Sequence, residues 1–450
     1  MIEKDDPKRK ELCDRVIETV KENGIKFIYL QWTDIHGIIK SFEVNSRRIE
    51  DFLQDGEHFD GSSITGYGAI EESDKTAVPD PSTFVVLPWR KEKKVARFIC
   101  DIYKPDGDRY EGDPRYILQK AVKKASDLGY SYSCAPELEF FVISEETEKA
   151  FKPGDMRGYF DYDPYDINEK MRYTIGEYCD AMGIEVEAIH HEVAFGQHEV
   201  DFKYDKAVET ADKTISLKSI IKIVAAQDGM IGTFMPKPFA GINGSGMHVH
   251  QSLWKDGKNM FYDENDKDYI SLTMKKFIAG QLKHAKSMCA VLSSWPNSYK
   301  RLVPGYEAPV YIAWGFRNRS PLIRVPDFSG KPNAARCEIR CPDPAGNPYL
   351  QFAVLLATGL DGLLSDTIEI PEPTDLNVYH LSSKDLMKSG IISLPGSLSV
   401  ALKEFQSSEF MKEVFGEDPF KNFLYAKLEE NDAYRVIVSE WERDRYINRL

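Results

Sequence analysis

The chain has 450 residues, 42% of them apolar, enough to bury a large core in more than one domain. Its 58 Lys and Arg stand against 72 Asp and Glu, and the net charge of -14 argues against nucleic acid or an anionic membrane surface as partner. The N-terminus MIEKDDPKRKELCDRV has no apolar leader region, and the most apolar later run, YLQFAVLLATGLDGLL over 349–364, is short and interrupted by Asp361. Seven cysteines without a C-x-x-C pair fit a reducing compartment, so a cytoplasmic location is expected.

In chain order, an amphipathic helix is predicted over 8–23, with Leu12, Val16, Ile17 and Val20 on one side and Asn23-Gly24 as its stop. KFIYLQWTD, IIKSFEVN, TFVVLPW and VARFICDIY read as strands, and the Gly/Ser-rich HFDGSSITGYGAIEESD among them reads as a loop. From 111, EGDPRYILQKAVKKASDLG opens a helix with Asp113 as N-cap and Pro114 at the first helical position. A domain boundary is therefore expected near 110, between a small strand-rich unit (1–110) and a large α+β unit (111–450). In the latter, strands such as YSCAPELEFFVI alternate with helical runs such as INEKMRYTIGEYCDAMG and DKAVETADKTISLKSIIKIVAAQDG. The final fifty residues, with FMKEVFG and AYRVIVSEWERDRYINRL, read as amphipathic helices able to dock on this chain or a neighbour.

Three strands carry charge on one face. PELEFF (136–141) sets Glu137 and Glu139 opposite Leu138 and Phe140, MHVH (247–250) sets His248 and His250 opposite Val249, and CEIRC (337–341) sets Glu338 and Arg340 opposite Ile339. A buried carboxylate costs several kcal/mol unless paired or metal-bound, so the repeated design points to one shared, compensated cavity, although any single such face is more commonly solvated. HHEVAFGQHEVDF (190–202) adds Glu192 and Glu199, which a straight strand would send to opposite faces; a bend or bulge at Gly196 is needed to bring them together. Carboxylates with one or two imidazoles suit Mg²⁺ or Mn²⁺ rather than zinc, and two such ions most often clamp a transferring phosphoryl group. Arg301, Arg317, Arg319, Arg324, Arg336 and Arg340 crowd into the forty residues 301–340; any one of them reads as solvated surface, but a cluster beside a proposed metal site suits phosphate charge.

Seven ordered motifs carry a family resemblance: FDGSSI (59–64), PELEFF, HHEV with GQHEVDF, KPFAGINGSGMHVHQS (237–252), YKRLVPGYEAP (299–309), RNRSPLIR (317–324) and RCEIRCPDP (336–344). Together they make the chain resemble the glutamine synthetases of bacterial and archaeal type I over nearly its full length. The resemblance implies a β-grasp-like N-terminal domain and a catalytic domain with a curved antiparallel sheet surrounded by helices. It implies ATP-dependent amidation of glutamate by ammonia through γ-glutamyl phosphate, two or more Mg²⁺ or Mn²⁺ ions per active site, and twelve subunits in two hexameric rings. No nucleic-acid or membrane partner is expected, and a regulatory protein partner is compatible with it.

Carried over residue by residue, Glu139, Glu192 and Glu199 resemble the ligands of a first metal, and Glu137, His248 and Glu338 those of a second. Asn243 and Gly244 would contact glutamate, and Arg301 and Arg340 its carboxylate and the developing phosphoryl charge. His250, Ser252 and Arg336 match nucleotide positions, while Arg319 and Arg324 would offset phosphate charge. Glu307 matches a flap carboxylate that takes the proton from ammonium. Asp60 and Ser63 match a loop inserted into the neighbouring subunit's site, where Asp60 helps to bind ammonium. Two positions depart from regulated relatives: Leu376 replaces the basic residue three before Tyr379, so adenylylation there is not expected, and Ala69 stands where feedback-inhibited relatives carry arginine. A γ-glutamyl-amine ligase would share both metals and differ in its acceptor pocket, but the presence of Asp60 and Glu307 favours ammonia. A non-catalytic relative should have lost metal or phosphate residues, and a glycosidase reading leaves the arginines and the glycine turn unexplained.

Overall fold

The computed structural model describes residues 6–67, 73–90, 92, 94–147, 150–162, 166, 168–304, 308–316, 319–374 and 391–450. Ala69, Glu307, Leu376 and Tyr379 lie outside the described residues.

Helix α1 (Pro7–Asn23) starts on Asp6, whose side chain accepts from Lys8 N, and stops at Gly24, whose φ of 60° ends the helix without a Cβ penalty. Strands β1 (Phe27–Thr33), β2 (Ile39–Asn45), β3 (Glu57–Asp60), β4 (Asp74–Pro79), β5 (Val85–Val86) and β6 (Val95–Tyr103) form the first sheet, in the order β2-β1-β6-β4-β3 with β5 on β6. Two details differ from the sequence reading. HFD is not loop: residues 57–60 pair with β4, because the Phe59 ring packs 4.5 Å from that of Trp32 and His58 bonds Thr76. TFVVLPW shrinks to two strand residues, flanked by short helical turns that begin at Pro81 and Pro88.

The second sheet contains β7 (Ser131–Thr147), β8 (Ala150–Pro153), β9 (Val186–His191), β10 (Gln197–Phe202), β11 (Asp205–Lys206), β12 (Ile231–Thr233), β13 (Met247–Lys255), β14 (Lys258–Asn259), β15 (Tyr311–Phe316), β16 (Pro321–Val325) and β17 (Cys337–Ile339). Its main path is β15-β16-β17-β13-β7-β10-β9, antiparallel except for β15 beside β16. Leu138, Phe140, Val200, Val249 and Ile339 are fully buried on one face, where helices α2 (Pro114–Asp127) and α3 (Ala207–Gln227) pack against β7. The apolar run near residue 350 is a buried core helix, Pro348–Leu364, packed on both. Among the described residues no helix is long and apolar enough to cross a membrane. At the C-terminus the predicted helix over 433–450 divides: one helix ends at Arg435, and Ser439 then opens another with a reciprocal capping box to Glu442.

Arg115 joins the two sheets' surroundings. Its buried guanidinium donates to Asp101 Oδ1 at 2.6 Å, Asp80 Oδ2 at 2.8 Å and Asp212 Oδ1 and Oδ2 at 3.1 and 2.8 Å. Burial opposes the charge of Asp80, but Arg115 together with the hydrogen bonds from Ser82 outweighs it and holds that carboxyl below the usual range. Arg115→Ala should therefore lower unfolding free energy at pH 7 by about 3–5 kcal/mol, the cost of leaving buried charge unpaired. In the variant Asp80 loses the cation that offsets its burial, so the stability its lowered folded-state pKa supplies above the unfolded pKa is missing, and the deficit should shrink as pH falls toward 4. Denaturant titrations of both proteins at pH 7 and 4 check this; an equal deficit at both pH values would refute the carboxylate explanation.

Candidate active site

The charged face of the second sheet faces away from its apolar layer, and strand register decides which groups meet. In the antiparallel pairing of β7 with β13, His248 lies opposite Glu137, and on its other side β13 places His250 opposite Glu338 of β17. Glu137 Oε2 accepts from His248 Nδ1 at 2.9 Å and Oε1 from His250 Nε2 at 2.8 Å. Arg336 Nε donates to His250 Nδ1 at 3.3 Å, and since a guanidinium only donates, the His250 proton sits on Nε2. Donation from His248 Nδ1 leaves its Nε2, 4.0 Å from Glu139 Oε1, with a free electron pair. Glu338 is buried, accepting from Arg324 Nη1 at 2.9 Å and Arg340 Nε at 3.0 Å. Glu137, His248 and Glu338 form one set whose ligand atoms lie within 4.8 Å of one another.

A second set arises from the hairpin between β9 and β10. The sequence demanded a bend at Gly196; the chain makes a full reversal there, with Gly196 at φ 69° and Glu192 N bonded to Gln197 O at 2.8 Å. Register then sets Glu199 opposite Glu139 on one side and His190 on the other. Glu192, Glu199 and His190 lie within the same 4.8 Å limit, with His190 Nε2 3.1 Å from Glu199 Oε1. Glu139 stands between the two sets, receiving Gly246 N at 2.9 Å and Gln197 Nε2 at 2.8 Å on Oε2.

Electrostatics separates the carboxyls. Burial resists the charge of Glu137, but hydrogen bonds from His248 and His250 outweigh it and hold the carboxyl low. Burial, then Glu199 and Glu192, pushes Glu139 well above the carboxylate range; burial, then Asp201 and Glu137, pushes Glu199 up to about 10. Such an excess of buried negative charge is what bound cations would relieve, and oxygen donors with a single free imidazole pair fit Mg²⁺ or Mn²⁺.

The glycine-rich turn closes the far side. A Cβ on Gly244 would stand 2.2 Å from Pro236 O, and one on Gly246 2.5 Å from Arg301 Nη2. Arg301 is buried, donating to the carbonyls of Cys341 at 2.9 Å, Pro342 at 3.2 Å and Arg340 at 3.0 Å. Asn243 and Gly244 are half-buried on this turn, and Gly244 O accepts from Gln197 Nε2 at 3.3 Å. Arg340 Nη1 donates to the carbonyl of Arg319, whose exposed side chain bonds Tyr159 beside His190. A cavity of about 420 Å³ opens on the other side, walled by Glu137, Asp201, His250, Ser252, Trp254 and Arg336. Ser252 is held there by Trp254 Nε1 at 2.9 Å.

Asp60, at the end of β3, and Ser63, just beyond it, are exposed and belong to neither ligand set, and Asp60 Oδ1 accepts from Ser62 N at 2.8 Å in its own loop. Glu307 lies outside the described residues. Three participants escaped the sequence reading. His190 and Gln197 lie inside the HHEV and GQHEVDF segments, where the sequence pattern singles out only the glutamates as ligands. Asp201 shares the alternation of Glu199, lies opposite Glu137 in register, and is pushed up to about 7 by burial and then by Glu137.

The glutamine synthetase β-grasp domain family matches residues 24–105, and the glutamine synthetase catalytic domain family matches residues 111–446. Glutamine synthetase of Methanosarcina mazei is 47% identical over 438 residues, 97% of each chain, and that of Thermotoga maritima is 47% identical over 438 residues, covering 96% of this chain and 99% of the relative. Among solved structures, a complex of GmaS with ADP superposes with a TM-score of 0.87 at 30% identity, covering 96% of this chain and 99% of that one. The cryo-electron microscopy structure of Plasmodium falciparum glutamine synthetase superposes with a TM-score of 0.85 at 27% identity, over 96% and 98%. With both domains matched in order and close relatives aligned along nearly the whole length, the chain belongs to the glutamine synthetase family.

Proposed function

We propose that this chain is an ATP-dependent ligase that joins ammonia to L-glutamate. The supporting observation is the pairing of two carboxylate and histidine sets across Glu139, with Arg324 and Arg340 on Glu338 and an open cavity beside His250. An oxygen of the glutamate γ-carboxylate attacks the terminal phosphorus of ATP, giving γ-glutamyl phosphate and ADP. The ammonia lone pair then attacks the acyl carbon, phosphate departs with the electrons of the C–O bond, and one proton is lost from nitrogen. Divalent ions held by Glu139, Glu192 and Glu199 and by Glu137, His248 and Glu338 would supply charge neutralisation for phosphoryl transfer.

The protein's own groups then have distinct tasks. Arg324 and Arg340 counter charge on the transferring group, and Arg301 with the 243–244 turn orients the amino acid. His250, Ser252 and Arg336 border the nucleotide cavity, where the nearly parallel rings of Tyr204 and Trp254, 6.4 Å apart, favour a planar base. Glu307 takes the proton from the ammonium nitrogen. The proposed domain boundary near 110 is supported by the gap between the end of β6 at Tyr103 and the start of α2 at Pro114. Phosphate release with ATP, Mg²⁺ and glutamate, adding ammonia or methylamine in turn, tests the assignment. Ammonia should be the better acceptor; preference for the amine would move the chain to amine ligation.

Exposure of Asp60 and Ser63, which belong to neither ligand set, supports a site completed by the neighbouring subunit in a ring, and the dodecamer of two hexamers is the proposed assembly. Reassembling mixtures of inactive Asp60→Ala and Glu338→Ala subunits should regain activity, since some sites then combine two intact halves. Confirmed mixed oligomers with no activity would show that each chain builds its own site.

A further inference from the structure

Behind the hairpin that carries Glu192 and Glu199 lies a buried group that the reaction does not use: Asp155, His191 and His198, with ligand atoms within 4.8 Å of one another. That spacing suits a metal, but the hydrogen-bond chemistry does not. His198 Nδ1 faces Arg172 Nη1 at 3.5 Å; a guanidinium can only donate, so the His198 proton sits on Nε2 and no electron pair there is available to a cation. His191 Nδ1 points at Glu192 O at 2.6 Å and its Nε2 at Asp155 Oδ1 at 2.8 Å, so the ring bridges two oxygens.

The same Oδ1 also accepts from Gly196 N at 2.9 Å, and Oδ2 accepts from Asn168 Nδ2. One carboxylate therefore grips both ends of the 192–196 reversal, the carbonyl of Glu192 through the His191 ring and the amide of Gly196 directly. Its side chain is only 5% exposed, and the adjacent Gly154 lies so near that a Cβ on Gly196 would stand 2.8 Å from Gly154 N. The reversal is thus clamped from a segment, 153–161, that is remote in sequence from it. Phe160 of that segment packs its ring 4.6 Å from His190, and its amide donates to His191 O at 3.2 Å.

We propose that Asp155 is a positioning residue for the first cation site: by tying His191 and Gly196 N it fixes where Glu192 and Glu199 present their oxygens. The proposal rests on the reading of Glu139, Glu192 and Glu199 as cation ligands. Groups that orient ligands from behind commonly contribute 10–100-fold in metal affinity, in this case about that much for one of two ions. Asp155→Asn keeps size but turns an amide NH₂ either on Asn168 or on the Gly196 and His191 donors, so two donors face each other in either orientation.

The test is Mn²⁺ titration of the cation-stripped, full-length assembled protein, followed by electron paramagnetic resonance of free Mn²⁺, for wild type and Asp155→Asn, His191→Gln, Glu192→Gln and Glu338→Gln. Expected is a loss of about 10–100-fold in the class of Mn²⁺ that Glu192→Gln removes, for both Asp155→Asn and His191→Gln, with the class removed by Glu338→Gln unchanged. Should Asp155→Asn fail to fold, His191→Gln carries the same comparison. Unchanged affinity in these variants while Glu192→Gln still removes a class overturns the positioning role alone. Equal weakening of both classes also overturns it, since that marks a general structural defect. If Glu192→Gln removes no class, the cation reading falls, and the positioning role with it.

Discussion

Glu338→Gln should lower ammonia-dependent turnover by about 10²–10³-fold or more while leaving the chain folded, and Glu338→Ala should lower both turnover and stability. Glu338 lies where three demands converge: it is 1% exposed, it accepts from Arg324 and Arg340, and its Oε1 is 3.8 Å from His248 Nδ1. Burial resists its charge, yet His250 and His248 outweigh burial and keep the carboxyl below its usual range. Glutamine retains one oxygen for a guanidinium but removes the negative charge and turns an NH₂ toward a donor. The magnitude follows from losing one element of preorganised charge stabilisation together with a ligand. Alanine adds the cost of a buried guanidinium without its acceptor, about 3–5 kcal/mol. Turnover measured beside thermal unfolding separates the two variants. Glu338→Gln with near-normal turnover would remove this carboxylate from the site.

Legibility in the sequence followed the length scale of each feature. Alternation within PELEFF, MHVH and CEIRC revealed the charged face, because a strand's period of two needs only neighbouring residues. Which charges meet depends on register between strands far apart in sequence: Glu137 with His248, and Glu139 with Glu199, follow from pairings that one strand's pattern does not encode. The break at Gly196 was readable, since two glutamates seven apart had to converge, but its form as a complete reversal clamped by Asp155 was not. Asp155 sits in a polar stretch with no periodicity and gains its meaning from contacts some forty residues away. Phe59 shows the same limit at the level of secondary structure. Its local composition says loop, and only its packing on Trp32 makes residues 57–60 a strand. Roles assigned by family resemblance reach further than geometry for Asp60, whose function needs a second chain.

The three glycines of GINGSG should respond differently to alanine, with the largest loss at Gly244. Gly241 has φ 80° with open space around it, so alanine there meets strain but no collision, and a cost of about 1 kcal/mol is expected. At Gly246 the added methyl meets Arg301 Nη2 at 2.5 Å. An exposed arginine would swing aside, but this one is 3% exposed and bonded to three backbone carbonyls, so the guanidinium must leave its place. Charge-assisted hydrogen bonds are worth about 1.5–3 kcal/mol, so the KM for glutamate should rise about 10–100-fold with nucleotide affinity little changed. At Gly244 the obstacle is Pro236 O at 2.2 Å, a backbone atom that also accepts from Ser245 N at 2.8 Å. The turn itself must move, taking with it Gly244 O, which Gln197 grips, and Gly246 N, which holds Glu139. Gly244→Ala should therefore damage glutamate binding and the Glu139 carboxylate together, lowering kcat as well as raising KM. Steady-state kinetics of the three variants, with nucleotide affinity measured by calorimetry, test the order Gly244 above Gly246 above Gly241. A Gly244→Ala enzyme no worse than Gly241→Ala would show that the turn has room the geometry denies it.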